Sequence, residues 1–207
     1  MAIFKEIRNE CLIRELQREL NTDVLLFGFD GVVYFGNLQR IEDCRVAYLS
    51  PAIEAESNVE ILSPGGELVD VRFLHVDLWQ IVAKATGVRT DPFDNGGRVP
   101  TNSLASSDPA VVLTQTEEPR STDTTSRQES HELICTLRRM IGDDVVITTL
   151  GGFLFEGRLG DVDDELAFLS VEEILGPATS SGISSDDVSN AVINLEAITS
   201  VSSSADS

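Results

Sequence analysis

Lysine is almost missing from this chain: Lys5 and Lys84 are the only two in 207 residues. Acidic residues outnumber basic ones 35 to 15, which leaves a net charge of -20. Affinity for a phosphate backbone comes mostly from Lys and Arg that displace counterions. A field of the opposite sign repels nucleic acid and favours solubility. RNA is therefore a disfavoured partner, and the acidity reads as a solvated surface. It fits a salt-rich host or a bias of genome composition, and the sequence leaves both open.

Long apolar runs are missing as well. Nothing approaches the roughly 20 residues that a membrane helix needs, so no membrane partner is expected. The opening stretch from Met1 to Glu10 mixes both charge signs and has no apolar segment of the signal-peptide kind. We expect a cytoplasmic protein. Cys11, Cys44 and Cys135 are few, odd in number and without metal-ligand spacing, which reads as reduced thiols. The only two histidines are His75 and His131, and although Glu132 directly follows His131, no motif marks either as part of a catalytic dyad. We expect no catalytic residue, no metal and no cofactor.

Against these absences stands a hydrophobic content of 42%, enough for packed cores. It is organised as a repeat. Leu12-Ile-Arg-Glu-Leu-Gln-Arg-Glu-Leu-Asn-Thr-Asp-Val-Leu-Leu lies over Leu133-Ile-Cys-Thr-Leu-Arg-Arg-Met-Ile-Gly-Asp-Asp-Val-Val-Ile without a gap. The register carries on to Gly31 over Gly152, Gly36 over Gly157 and Leu38 over Leu159. After one extra residue, Val46-Ala-Tyr-Leu-Ser falls on Leu166-Ala-Phe-Leu-Ser. Ile61-Leu-Ser-Pro then matches Ile174-Leu-Gly-Pro, and Val76-Asp-Leu-Trp-Gln-Ile matches Ile193-Asn-Leu-Glu-Ala-Ile. The length differences fall in polar stretches, 51–58 and 178–190, where loops absorb insertions. Five blocks in one order point to a tandem duplication. The implied division is a first module at 1–85, a polar linker at 86–130 without periodicity, a second module at 131–202 and a tail at 203–207.

Each copy opens with a helical stripe: Leu12, Leu16 and Leu20 in the first, and Leu133, Ile134, Leu137, Met140 and Ile141 in the second, with Gly142 as its stop. Short strands follow. Val145-Val-Ile-Thr-Thr-Leu runs into Gly151-Gly152, a hairpin turn that wants positive φ. Phe153-Leu-Phe-Glu-Gly-Arg-Leu continues the strand pattern, and its interior Gly157 marks a sharp bend. Bends of this kind let one long strand serve two sides of a barrel. A helix and about five bent strands provide too little surface for a sandwich and suggest a small closed barrel.

The stretch from Val145 to Leu166 resembles the first motif of Sm-like proteins, with Gly152, Gly157, Leu159 and Asp163 at its key positions. The first copy matches it with Gly31, Gly36, Leu38 and Glu42. Other SH3-like barrels, including the PRC-barrel group, share the turn and bend glycines. The resemblance implies two tandem five-stranded bent barrels, each preceded by a helix, that assemble edge to edge into rings. It also implies RNA binding, but the positions of the family's methionine and base-contacting asparagine hold Leu166 and Ala167, and Val46 and Ala47. No Arg-Gly or Lys-Gly pair follows Ile81 or Ile198.

The remaining constellations have plain readings. Asp161, Asp163, Asp164 and Glu165 form an acidic turn without EF-hand spacing, and Asp186-Asp187 sits in a serine-rich loop. Asn95-Gly96-Gly97-Arg98 lacks the strand and helix of a phosphate loop. Trp79, opposite Glu196 in the second copy, is either an interface residue or packed on the preceding helix. With Phe27, Phe29, Tyr34 and Phe35, it gives the first copy the more apolar outer face. We expect that face to meet a partner, a second copy or its own twin. Three readings follow: a non-enzymatic Sm-like scaffold forming pseudo-symmetric homo-oligomers or binding a protein partner, an RNA-binding ring, or a small-ligand, enzymatic or protein-binding SH3-like or PRC-like barrel. The first fits the charge and the missing motif residues best.

Overall fold

The computed structural model describes residues 9–53, 58–94, 125–163, 165–177 and 182–203. Helix α1 (Glu10–Gln17) leads into β1 (Asp23–Gly28), β2 (Val33–Glu42), β3 (Val46–Ser50), β4 (Val59–Leu62), β5 (Leu68–Val71) and β6 (Leu74–Asp77). A 3-10 turn at Leu78–Gln80 then enters β7 (Ile81–Thr86). The second half runs α2 (Thr125–Arg139), β8 (Asp144–Thr149), β9 (Leu154–Val162), β10 (Leu166–Leu175), β11 (Ile183–Ser184) and β12 (Asn190–Asn194). It ends with a 3-10 turn at Leu195–Ala197 and β13 (Ile198–Ser203).

The protein is mainly β, with 13 strands in one antiparallel sheet and two short helices. The strand path runs β13-β8-β9-β10-β12-β7-β1-β2-β3-β6, with β4 added to β2, β5 to β4 and β11 to β10. The closed barrels expected from the sequence are not found. Closing the first would require β7 to return to β6; instead β7 pairs with β12 of the other half, which satisfies the same backbone groups.

Short-range bonds recur at aligned places. Leu38 N donates to the Thr22 carbonyl at 2.9 Å, and Leu159 N to that of Asp143 at 3.0 Å. Phe29 N bonds the Gln80 carbonyl at 2.9 Å and Leu150 N that of Ala197 at 2.8 Å. Leu78 N bonds the Arg45 carbonyl at 2.7 Å and Leu195 N that of Glu165 at 2.9 Å. The bend glycine of β9 has a steric cause: a Cβ on Gly157 would overlap the Ser170 carbonyl oxygen of β10. Its counterpart Gly36 leaves only 3.1 Å between a built Cβ and the Ser50 carbonyl oxygen.

Helix α1 buries Leu12, Ile13 and Leu16 on one face. Leu20, read as part of that stripe, lies past the helix end and is 39% exposed, because the chain turns at Asn21 with φ 65. Every residue of β1 is buried. Its even positions, Val24 and Leu26, join a core with α1, while Leu25 and Phe27 join the core of the second half. The segment assigned to the linker also starts differently. Arg89 N donates to the Asp187 carbonyl at 2.8 Å, and Phe93 is buried against Phe35. The last part of that segment, 125–130, is also corrected, since it forms the start of α2; residues 95–124 lie outside the described residues, as does the tail from 204.

Candidate functional site

The feature that organises the molecule is the junction between its halves. Strands β7 and β12 pair antiparallel, with Thr86 opposite Asn190, Ala85 opposite Ala191, Lys84 opposite Val192 and Ala83 opposite Ile193. All six residues of β7 are buried. Ala83, Ala85 and Ala191 are buried together in the core on one of its faces.

On one face α1 reaches across the seam. Leu12, Ile13 and Leu16 share a core with Leu166 and Val192 of the second half, and Phe168 packs at its margin. Asn9, fully buried, holds three groups there. Its Nδ2 donates to the carbonyls of Leu78 at 2.6 Å and Ile81 at 2.9 Å, and its Oδ1 accepts from Asn194 Nδ2 at 2.6 Å. Cys11 lies beside Glu165, whose carboxylate, with burial, pushes the thiol up to about 11. On the other face, Phe27 meets Phe153 and Phe155 edge-on at 5.1 and 5.2 Å.

Lys84 supplies the charge at the seam. It is 1% exposed, and its Nζ donates to Glu19 Oε1 at 3.0 Å and to the Glu15 carbonyl at 3.1 Å, near the C-terminal end of α1. A cation there complements the helix dipole. Burial lowers its pKa, and the Glu19 carboxylate opposes that. Beside it opens a cleft of about 420 Å³, whose polar lining includes Glu15, Glu19, Asp161, Ser170 and Asn190. These two hydrogen bonds fix the Lys84 side chain against the end of α1.

The sheet ends at β6 and β13, which are the aligned counterparts of β12 and β7. Among the described residues, each pairs along one side only. Burial changes accordingly: β12 is buried at all but its first residue, whereas β6 buries only Val76. Strand β13 has no fully buried residue. Beside β6 an aromatic face is open. Tyr48 stacks on Phe73 at 5.8 Å, meets His75 edge-on at 5.0 Å and carries the Arg40 guanidinium 5.0 Å from its ring centroid. Phe73 is 58% exposed.

The residues singled out by sequence have these places. Gly31 and Gly152 sit in turns with φ 83 and 79. Leu38 and Leu159 are fully buried, and Asp163 is exposed before β10, where its N–H bonds the Leu166 carbonyl at 2.9 Å. Trp79 is half-buried in its 3-10 turn, with its N–H on Asp77 Oδ1 at 3.2 Å. Phe35 is corrected: placed by the sequence on an outer face, it is fully buried, because the strap ending in Phe93 covers it at 6.2 Å. Phe27 is likewise inside, and Phe29 remains 36% exposed.

His75 is an exposed strand residue. Asp187 braces a turn: its Oδ2 accepts from Ser184 N and Oγ, both at 2.9 Å, and its Oδ1 from Thr90 Oγ1 at 2.7 Å. Asp164, residues 95–98 and the His131 side chain lie outside the described residues. Among the described residues, no three of His, Cys, Asp or Glu are placed to hold a metal ion, and no helix is long and apolar enough to cross a membrane.

Sequence reasoning missed Asn9, Lys84 and Glu60. Lys84 carried a signal, as one of only two lysines set within an apolar strand pattern. Glu60, in β4, is 8% exposed, and its Oε2 has no hydrogen-bond partner among the described residues. Burial, then the Asp91 carboxylate, push its pKa up to about 8. No protein-family model matches the chain, and no curated protein matches it.

Proposed function

We propose that the protein is a non-enzymatic assembly module of Sm-like type, a tandem pair of small barrels left open at their edges. It builds pseudo-symmetric oligomers by pairing the edge strands β6 and β13 of successive copies. The observation that carries this reading is the β7–β12 pairing inside the chain. One half already uses its last strand to extend the sheet of the other, and each half leaves the complementary edge unpaired among the described residues. An open edge is a template for another chain, and a heterologous contact that repeats closes a ring if its rotation allows.

RNA binding is the weaker reading. The net charge of -20 opposes it. At the position of the family's base-contacting asparagine, Ala47 and Ala167 are core residues at 0% exposure. Light scattering coupled to size exclusion, at micromolar concentration and moderate salt, tests the proposal. A mass that is a multiple of the 22.5 kDa chain is expected; a clean monomer overturns it.

A further inference from the structure

We infer that helix α2 and strand β13 of one copy seat on the aromatic face beside β6 of a second copy, head to tail. This inference rests on the assembly reading above and names the surface and its occupant. The molecule already contains this joint once, complete, and carries its two halves separately a second time.

Tyr48 and His75 lie opposite each other in register, as do Phe168 and Val192 at the aligned places of the second half. Val192 is 6% exposed because α1 covers it with Leu12, Ile13 and Leu16. Among the described residues no helix covers His75, which is exposed, or Phe73 beside it, which is 58% exposed. The covering element shows the matching deficit. Leu12 and Ile13 of α1 are 1% and 4% exposed, yet their counterparts on α2, Leu133 and Ile134, are only half-buried. The same holds for the strands: β7 is buried throughout, and β13 is not. Two incomplete surfaces of one type therefore match the two sides of one complete joint. Transferring its register sets His75 of one copy against Val201 of the next.

The charges fit as well. Inside the chain, Glu165 faces Cys11 of α1. The position of Glu165 is taken by Arg45 in the first half, as the Leu78–Arg45 and Leu195–Glu165 backbone bonds show. The position of Cys11 is taken by Glu132 on α2. Arg45 and Glu132 are both exposed, and docking brings them together as opposite charges. The polar pair Lys84–Glu19 becomes Val201 and Met140, so the second joint is the more apolar of the two, as its aromatic seat requires.

The test is a charge exchange read by light scattering and sedimentation. Arg45→Glu and Glu132→Arg each place like charges in the joint, and each is expected to raise the concentration for half-assembly about tenfold. An equimolar mixture of the two variants, and the double variant, should regain the wild-type mass. Circular dichroism melting confirms that each variant is folded, since both sites lie on the surface. If the wild type does not assemble, the assembly reading fails and takes this inference with it. If the wild type assembles but neither single exchange weakens it, or the mixture regains nothing, the inference alone is overturned. A short RNA at low salt that binds the wild type and loses affinity in Tyr48→Ala would also overturn it, by assigning the face to bases.

Discussion

Asn9 Oδ1 accepts a hydrogen bond from Asn194 Nδ2 at 2.6 Å, across 185 residues of sequence. Asn194 is itself the cap of the second 3-10 turn, with its Oδ1 on Glu196 N at 2.9 Å. Asp77 plays that capping part in the first half, on Trp79 N. One amide thus ties the entry of α1 to the end of β12 and keeps the two halves in register.

Truncating this amide should be costly. Asn9→Ala leaves Asn194 Nδ2 and the carbonyls of Leu78 and Ile81 without their partner in a buried site. A loss of about 3 kcal/mol is expected, since each orphaned group costs about 1–3 kcal/mol. Urea denaturation measures it, and a change under about 1 kcal/mol would mean that water replaces the amide.

The Lys84–Glu19 pair should respond asymmetrically. Glu19→Met removes the carboxylate from an ammonium that is 1% exposed and leaves it the Glu15 carbonyl, an expected loss of about 3 kcal/mol. Lys84→Val together with Glu19→Met installs the residue types found at the aligned places Val201 and Met140. It should fall within about 1 kcal/mol of the wild type, because an apolar pair can replace a buried ion pair. A double variant as unstable as the single one would rule this account out.

Glu60 predicts a pH dependence of known sign. Its pKa in the fold is raised from 4.5 to about 8, so between these values the unfolded chain has lost a proton that the folded chain keeps. Stability therefore falls as pH rises through that window and levels off above about 8. Glu60→Gln keeps a donor toward Asp91 at every pH. It should raise the melting temperature at pH 9 and change little at pH 5, with about 1–3 kcal/mol at stake. Equal effects at both pH values would exclude the carboxyl as the source.

The thiols of Cys44 and Cys11 should separate by rate. Cys44 is exposed, whereas Cys11 is part-buried with its thiol pushed up to about 11 by Glu165 and burial. Thiolate is the reactive form, so an aromatic disulfide reagent at pH 8 should titrate Cys44 first and Cys11 slowly. Glu165→Gln should quicken Cys11. Mass mapping of the labelled peptides decides it, and an unchanged Cys11 rate would detach the thiol from that carboxylate.

Much of the strand order was readable because it follows local rules. Val145 to Leu150 is short, mostly β-branched and stops at two glycines, and β8 ends at Thr149 before that turn. Gly157 was readable as a bend, since only a missing Cβ admits the Ser170 carbonyl. Phe35 was not. Its cover, Phe93, sits 58 residues downstream in a stretch whose composition resembles a linker. Nor was Lys84, where a charged residue in an apolar strand shows its partners only when α1 is laid over the seam.

The sequence by itself determined a β-rich chain written in two aligned passages, with its helical stripes, turns and glycine bends, because these depend on neighbours within a few residues. The tertiary structure alone decided that the passages join as one open sheet, with β7 on β12. Backbone pairing carries no side-chain signature, and the burial that distinguishes β7 from β13, or Leu12 from Leu133, depends on what lies across the seam.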